Sequence, residues 1–191
     1  MDEKIAVVIL AGGQSKRMQV QNKATVLFKG KPLISYVIDR MKSQSEHIFI
    51  NTHQNQNDFD TFHLPLIDDA LTIQEGPLLG ILTSLQLIKT DWIQFVPCDT
   101  PNLPDNLIAN LLKENKAQKT LAAVPETVDG LQSACLLCHS STLNNLQDFF
   151  NRGGRKIEDW IKQLSFSIVR FHDQSQFINI NTQEELKKTS L

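Results

Sequence analysis

Hydrophobic and polar positions follow two alternating patterns along the chain. Short apolar runs rich in β-branched residues have the length and composition of buried strands. These runs cover residues 5–10, 47–52, 64–68, 92–98, 121–126, 133–138 and 167–171. Between them, apolar residues recur at helical spacing. Strands that alternate with helices predict an α/β fold with three layers, in which a mostly parallel sheet carries helices on both faces.

Helical spacing predicts five helices, at residues 32–44, 76–88, 104–115, 154–164 and 181–188. Pro32 lies at the predicted first helical position of the first stretch. The last stretch has Thr182 as its predicted N-cap and Glu185 three residues on, which is a capping box. In the first two helices, one apolar stripe is predicted to be buried. The stripes are Leu33, Ile34, Val37, Ile38 and Met41 in one helix, and Leu78, Leu79, Leu82, Leu85 and Ile88 in the other.

Ligands bind beyond the carboxyl ends of parallel strands, so the loops that follow strands are the expected place for a ligand site. The loop after the first strand carries Gly12 and Gly13, and then the cations Lys16 and Arg17. The loop after the strand at 92–98 contains a lone acid, Asp99. This basic, glycine-rich turn and this carboxylate are the first candidates for a ligand site.

Composition and charge narrow the class of protein. The chain has 191 residues, 41% hydrophobic and 21% charged, and no linker or repeat divides it. We therefore expect one domain over residues 1–191. A formal net charge of −2 argues against a nucleic-acid partner. Acids near the N-terminus argue against a signal peptide, and no apolar stretch approaches the ~20 residues of a membrane helix. Three cysteines without an export signal favour a cytoplasmic location and no membrane association.

Cys135 to His139 spell C-x-x-C-H, the pattern of covalent haem attachment. That chemistry belongs to exported proteins, whereas the surrounding segment has the apolar character of a buried strand. Cysteine acts there as a small hydrophobic residue. A zinc site is also disfavoured, since no second Cys/His pair has ligand spacing. We interpret these cysteines as core residues.

Gly12 and Gly13 suit a turn in which the backbone closely approaches a ligand. Backbone N–H groups in such a turn form an anion site, and Lys16 and Arg17 add positive charge and directional donors. The turn lacks the second glycine and the G-K-[ST] of a P-loop, and it lacks the G-x-G-x-x-G of dinucleotide-binding proteins. A polyphosphate held in another way is the expected ligand, and a tight turn with solvated cations is the alternative.

The motif "LAGGQSKRM…K" resembles the signature L-A-[AG]-G-x-[SG]-x-R-M-G…K of nucleotidyltransferases that load a nucleoside monophosphate onto a phosphate-bearing acceptor. Further segments resemble one branch, the molybdenum cofactor guanylyltransferases, in the same order along the chain. These segments are "GKPLISYVID", "FINTH", "IDDA…GPLLG", "VPCDTP", "GGRKIEDW" and "INTQEEL". The resemblance covers nearly the whole chain and implies a Rossmann-like nucleotidyltransferase fold.

The resemblance also implies the reaction. GMP is transferred from GTP to the terminal phosphate of Mo-molybdopterin, with Mg²⁺ as the cofactor, which yields the guanine dinucleotide cofactor and pyrophosphate. Residues about 1–110 would bind the nucleotide and residues about 111–191 the acceptor. Other proteins of molybdenum cofactor biosynthesis, or apo-molybdoenzymes, are the expected protein partners. Such transfer needs positioning and charge neutralisation more than covalent chemistry from the protein.

Site residues follow from matching positions in the motifs. The expected catalytic residues are Arg17, Lys23 and Asp99. The expected nucleotide-binding residues are Leu10, Ala11, Gly12, Gly13, Lys16, Arg17, Lys23, Asn51, Asp69, Gly76, Pro77 and Asp99. Arg155 is expected on the acceptor side. Asp99 and Asn181 are the expected metal ligands, with Asn179 as the second choice.

Each of these positions has a structural alternative. Asp99 could cap a helix that begins near Pro104, although it lies several residues too early. Asn51 and Asp69 could form turns through their own backbone. The segment 76–80 could be a plain helix start with Pro77 at the first position. Arg155 could be a surface arginine at a helix start, where the helix dipole would disfavour it.

The chain departs from the family pattern at several positions. Gln19 replaces a glycine, Asn22 replaces an aspartate, and Leu131-Gln132 stands where a His-Pro pair is common. Asn22 removes a potential ion-pair partner of Lys23, so we expect Lys23 to contact phosphate more freely. Two alternatives therefore stay open. One is a CTP-dependent molybdopterin cytidylyltransferase, and the other is a GTP-binding module that has lost catalysis. Gly12, where cytidylyltransferases usually have alanine, favours the guanine nucleotide.

Overall fold

The computed structural model describes residues 4–12, 22–53, 56–68, 76–181 and 185. The strands in this part of the chain are β1 Ile5–Leu10, β2 Leu27–Phe28, β3 Lys31–Pro32, β4 His47–Asn51, β5 Leu66–Ile67, β6 Trp92–Pro97, β7 Ala122–Thr127, β8 Gly130–Leu131, β9 Leu137–His139 and β10 Phe166–Arg170. The helices are α1 Leu33–Lys42, α2 Pro77–Leu87, α3 Leu107–Gln118, α4 Leu143–Asn151 and α5 Ile157–Ile161.

One eight-stranded sheet forms the centre of the molecule. Its strand order is β10-β7-β9-β6-β1-β4-β5, and β8 pairs with β7. Strand β1 is parallel to both neighbours, β4 and β6, and β10 is parallel to β7. Strand β9 runs antiparallel between β6 and β7. The prediction of a mostly parallel sheet is confirmed.

Side chains of β1 alternate between two hydrophobic clusters, one on each face of the sheet. Val7 and Ile9 pack with residues of α1 and α3. Ala6 and Val8 pack with residues of α2, α4 and α5. The predicted three-layer arrangement with helices on both faces is therefore confirmed, and every residue of the two predicted apolar stripes is buried.

Helix α1 begins one residue later than predicted. Lys29 and Gly30 take positive φ values of 47° and 83°, and this turn joins β2 and β3 into a hairpin. Pro32 pairs with Leu27 in that hairpin and has extended ψ, 138°, so it serves as the N-cap of α1 rather than its first residue. Helix α3 likewise begins at Leu107 rather than near residue 104.

The apolar run at 133–138 was predicted as a strand, and this is correct only for its last two residues. Only Leu137–His139 pairs in the sheet, while Cys135 closes a turn by donating its N–H to the carbonyl of Gln132 at 2.8 Å. Cys135 and Leu136 are buried although they lie outside the strand. The apolar run therefore begins in a turn and ends in a strand.

Helix α4 was not predicted, although its spacing is helical. Its buried residues are Leu146, Phe149 and Phe150. The stretch predicted as a helix at 154–164 forms only the short α5. Among the described residues, no helix has both the length and the apolar character needed to cross a membrane.

The C-terminal helix predicted at 181–188 lies mostly outside the described residues, and so does Thr182. Glu185 is described, and its carboxylate accepts a hydrogen bond from the backbone N–H of Asn181 at 2.6 Å. Glu185 therefore reaches back toward the start of the predicted helix, as a capping residue does.

Candidate active site

Three strands end side by side at one edge of the sheet. The N–H of Ala11 donates to the carbonyl of Asn51 at 2.8 Å, and the N–H of Cys98 donates to the carbonyl of Leu10 at 3.2 Å. These bonds tie the segment after β1 to the ends of β4 and β6. Gly12, Asn51 and Asp99 therefore lie at the same edge of the sheet, as the sequence predicted from the parallel strand order.

Lys23 makes two side-chain contacts at this edge. Its ammonium group forms an ion pair with Oδ2 of Asp99 and also donates to Oδ1 of Asn181 at 2.5 Å. The side chains of Lys23 and Asp99 are only 13% and 14% exposed. The predicted catalytic lysine and the two predicted metal ligands thus meet at one point. Asn22 does not pair with Lys23 as an aspartate could, and Asp99 is the ion-pair partner of Lys23 instead.

The C-terminal segment holds Asp99 and Asn181 together. The N–H of Ile180 donates to the carbonyl of Asp99 at 2.9 Å, and the hydroxyl of Thr100 donates to Oδ1 of Asn179 at 2.5 Å. Asn179 is therefore bonded to Thr100, whereas Asn181 reaches Lys23. The sequence analysis did not single out Thr100, although it directly follows Asp99.

Asp99 does not cap a helix. The N-cap of α3 is Asn106, seven positions further along the chain, and Asp99 contacts Lys23 instead. This geometry removes the structural alternative for Asp99.

Asn22 orients the turn that carries Lys23. Its carboxamide nitrogen donates to Oδ2 of Asp58 at 3.1 Å, and its carboxamide oxygen accepts the N–H of Ala24 at 3.1 Å. Sequence reasoning missed Asp58, which lies in the 3-10 helix Gln56–Phe62. Asp58 lies 36 positions after Asn22 in a polar stretch, and nothing in the sequence around it indicates this contact.

Asn51 is buried at the end of β4 with only 2% of its surface exposed. Its carboxamide nitrogen donates to the carbonyl of Ile67 at 3.3 Å. Gly80 of α2 lies directly against it, because a Cβ built on Gly80 would stand 2.1 Å from Oδ1 of Asn51. Asn51 therefore has a structural role at this edge, and its predicted contact with the nucleotide stays a prediction.

Gly76 and Pro77 form the start of α2. Gly76 is the N-cap with φ of 77°, a left-handed conformation that favours glycine, and Pro77 is the first helical residue. The helix-start interpretation of this segment is confirmed. Its predicted contact with the nucleotide base remains untested.

Arg155 lies two residues before α5, yet its guanidinium interacts with the preceding helix. It donates to the carbonyl of Phe150 at 2.9 Å and to the carbonyl of Gly154 at 2.8 Å, and it stacks over the Phe150 ring at 4.1 Å from the centroid. Phe150 lies at the carboxyl end of α4, where a cation is favoured by the helix dipole. The expected conflict with the dipole is therefore wrong, and the acceptor-side role of Arg155 stays a prediction.

The cysteines are core residues, as interpreted. All three are free and buried. Burial raises the pKa of the Cys138 thiol to about 12, and burial together with the Asp99 carboxylate raises the pKa of both Cys98 and Cys135. Such thiols are poor nucleophiles and poor metal ligands. Within the described ranges, no cluster of three or more His, Cys, Asp or Glu side chains could hold a metal.

Several predicted site residues lie outside the described residues. They are Gly13, Lys16, Arg17 and Asp69, together with the departure Gln19. Leu10 and Ala11 are buried at the end of β1, and Gly12 is half-buried. The structure therefore describes only the first residues of the predicted phosphate loop, as far as Gly12.

Residues 7–168 match the family described as the MobA-like NTP transferase domain. The chain belongs to the MobA-like NTP transferase family. A relative from Yersinia pseudotuberculosis serotype O:1b, named molybdenum cofactor guanylyltransferase, is 37% identical over 183 residues, which cover 95% of this chain and 93% of that protein. This chain and that relative therefore match over nearly the full length of both.

Solved structures show the same fold for this MobA-like chain. The molybdopterin-guanine dinucleotide biosynthesis protein A of Archaeoglobus fulgidus superposes with a TM-score of 0.78 at 20% identity, covering 96% of this chain and 95% of that one. The 4-diphosphocytidyl-2C-methyl-D-erythritol synthase of Anaerococcus prevotii gives 0.75 at 12% identity, covering 97% and 93%. The Rossmann-like nucleotidyltransferase fold is therefore confirmed.

Proposed function

We propose that this protein transfers GMP from GTP to the terminal phosphate of Mo-molybdopterin, forming the guanine dinucleotide cofactor and pyrophosphate. The name of the 37% identical relative supports this substrate pair. The single observation that carries the proposal is the meeting of Lys23, Asp99 and Asn181 at the carboxyl edge of the sheet. A cation and two oxygen ligands at that edge suit a nucleoside triphosphate and its metal.

The side chains around Lys23 fit a magnesium ion. The Asp99 carboxylate and the Asn181 carboxamide oxygen converge on one positive charge, the Lys23 ammonium, which stands in for a metal cation. Both are oxygen ligands of the kind that Mg²⁺ takes together with substrate phosphates. We propose that Asp99 and Asn181 hold Mg²⁺, which when bound neutralises charge on the triphosphate.

The protein's own residues then position the nucleotide. Lys23, released from Asp99, donates its N–H groups to phosphate oxygens, and Lys16 and Arg17 add charge from the glycine-rich loop. The backbone of Leu10 to Gly13 approaches the triphosphate. Asn51, Asp69, Gly76 and Pro77 contact the base and ribose.

The acceptor needs little activation. The terminal phosphate of molybdopterin carries a charge of about −1.5 to −2 near pH 7, as phosphate monoesters do, so its oxygen is already a nucleophile. This oxygen attacks the α-phosphorus of GTP. The bond from the α-phosphorus to the bridging oxygen breaks, and pyrophosphate leaves with that electron pair. Catalysis then rests on alignment and charge neutralisation.

The acceptor is proposed to bind to residues about 111–191, with Arg155 on that side, and the nucleotide to residues about 1–110. A cytoplasmic location and hand-over of the cofactor to other biosynthetic proteins or apo-molybdoenzymes complete the proposal. The three free thiols suit a reducing compartment.

Pyrophosphate release tests the proposal directly. The protein is mixed with Mo-molybdopterin, Mg²⁺ and either GTP, CTP or ATP, and the dinucleotide product is identified by mass spectrometry. We expect turnover with GTP and at least about tenfold lower kcat/KM with CTP and ATP, because a site shaped for guanine leaves polar groups unpaired with the other bases. A preference for CTP would identify a cytidylyltransferase. Binding of GTP without turnover would identify a binding module.

A further inference from the structure

Asn22 and Asp58 form a contact that the reaction itself does not explain. The Asn22 side chain is buried, with 6% of the residue exposed, and its carboxamide nitrogen lies 3.1 Å from Oδ2 of Asp58. Asp58 is exposed, but the 3-10 helix that carries it is anchored by Phe59, which is 1% exposed. The backbone that carries the acceptor of the Asn22 bond is therefore anchored to the body of the protein.

The other end of the carboxamide is also engaged. Oδ1 of the Asn22 side chain accepts a hydrogen bond from the N–H of Ala24 at 3.1 Å. The backbone carbonyl of Asn22 accepts one from the hydroxyl of Thr25 at 3.2 Å. Ala24 is in turn tied to α1, because its carbonyl accepts the N–H of Ile34 at 3.0 Å. Lys23 thus lies between two anchored residues, and the direction in which its side chain leaves the backbone is fixed.

The two bonds of Asn22 require an amide. A carboxylate at position 22 could accept the N–H of Ala24, but its second oxygen would face the Asp58 carboxylate without a proton to share. Like charges at such a distance repel, and one hydrogen bond is lost. Asparagine at 22 and aspartate at 58 therefore form a complementary pair.

We infer that Asp58 is a positioning residue, which acts through Asn22 to hold Lys23 toward Asp99 and the triphosphate site. The inference rests on the proposed role of Lys23 in binding the nucleotide. Asp58 touches neither substrate nor metal in this scheme. Its contribution is the orientation of the turn that carries Lys23.

Charge-swapped variants test the pair. In N22D the repulsion is introduced, and in D58A the acceptor is removed, so we expect KM for GTP to rise about three- to tenfold in each. In the double variant N22D/D58N the amide and the carboxylate exchange places, and we expect KM to return to within twofold of the wild type. D60N removes a carboxylate from the same 3-10 helix and serves as the matched control, with KM unchanged.

A second measurement follows Lys23 without any nucleotide. The folded proteins are treated briefly with an amine-acylating reagent, and modification of each lysine is quantified by mass spectrometry. Lys23 is mostly buried in its ion pair, so we expect slow acylation in the wild type and severalfold faster acylation in N22D and D58A. Lys113, on α3, is an internal reference whose rate should not change. The double variant should regain slow acylation of Lys23.

The outcomes separate this inference from the proposed function. If the reagent acylates Lys23 in N22D and D58A at the wild-type rate, and both variants keep the wild-type KM for GTP, the inference is overturned. It is also overturned if both measurements change but the double variant rescues neither. If the wild type does not turn over GTP while acylation follows the expected pattern, the proposed function fails and the positioning of Lys23 by Asp58 stands. Thermal melting confirms that each variant is folded, and D58N replaces D58A if the latter is not.

Discussion

At the scale of single residues, Lys23 illustrates how one side chain can prepare a site for a different cation. It neutralises Asp99 and occupies the carboxamide oxygen of Asn181. A mostly buried carboxylate without a partner would be costly, so the ammonium keeps Asp99 stable before the substrate binds. The same ammonium then serves the phosphates in the proposed reaction.

Removing the Asp99 carboxylate tests its proposed metal role. We expect Asp99→Ala to lower kcat by about two orders of magnitude or more, because a metal ligand is lost where charge develops. Steady-state kinetics over a range of Mg²⁺ concentrations measure this effect. Asp105→Ala removes an exposed carboxylate that pairs with Arg40, and it should leave kcat unchanged. A near-normal rate for Asp99→Ala would remove Asp99 from the metal site.

The buried thiols predict a loss of stability at high pH. Burial raises the pKa of Cys138 from 9.0 to about 12, so above pH 9 the unfolded chain loses this proton while the folded chain keeps it. The unfolded state is then favoured, and the free energy of unfolding falls by about 1.4 kcal/mol per pH unit for this group.

Urea denaturation between pH 8 and pH 11 checks this prediction. The Cys138→Ala variant should have a lower starting stability but a shallower loss with pH than the wild type. Equal slopes for the two proteins would show that the thiol ionises equally in both states. A thiol reagent at pH 8 should react slowly with the native protein and rapidly in denaturant.

At the scale of elements, α2 is placed by the contact between Gly80 and Asn51. The helix can approach the end of β4 because residue 80 has no side chain, and the Asn51 carboxamide fills that space. Leu10 lies nearby, 3.2 Å from the position a Cβ at residue 80 would take. The absence of a side chain at Gly80 therefore allows α2 to lie close to the ends of β4 and β1.

Gly80→Ala should disturb this packing. A Cβ at 2.1 Å from Oδ1 of Asn51 cannot be accommodated, so either Asn51 or α2 must move. We expect a loss of about 1–3 kcal/mol in unfolding free energy, as for overpacked cores, and a higher KM for GTP with a smaller change in kcat. Gln86→Ala on the exposed side of the same helix is the control. Unchanged stability and KM in Gly80→Ala would show that the space is not constrained.

At the scale of the whole molecule, the C-terminal segment completes the site from the far end of the chain. After β10, the chain returns so that Ile180 is buried with Phe28 and Leu33, and Asn181 reaches Lys23. The last strand of the sheet ends before this segment begins. The segment that supplies Asn181 to the site is therefore not part of the sheet.

Deletion of residues 178–191 tests what this C-terminal segment contributes to the site. We expect circular dichroism to keep the α/β signature, while GTP affinity falls at least about tenfold because the bond between Lys23 and Asn181 is lost. Isothermal titration calorimetry measures the affinity. Deletion of residues 186–191 keeps Asn181 and Glu185 and should bind GTP like the full chain. Full GTP affinity in the longer deletion would contradict a role for Asn181.

Periodicity in the sequence predicted the main strands and the first two helices correctly, since burial on one face leaves a local pattern. It failed at residues 133–136, where buried residues lie in a turn before β9, because an apolar run marks burial whether or not the backbone is extended. The convergence of Asp99 with Asn181 was predicted from motif resemblance. The ion pair of Lys23 with Asp99 was not predicted, and neither was the contact between Asn22 and Asp58.

The sequence by itself determined the alternation of strands and helices, the apolar stripes and the family to which the chain belongs, since these depend on local spacing and motif identity. Tertiary structure decided which side chains meet at the site. Asn22 pairs across 36 positions with Asp58, while Lys23 pairs across 76 with Asp99 and across 158 with Asn181. Contacts at such separations depend on strand order and on the path of the returning C-terminal segment, which no local pattern records.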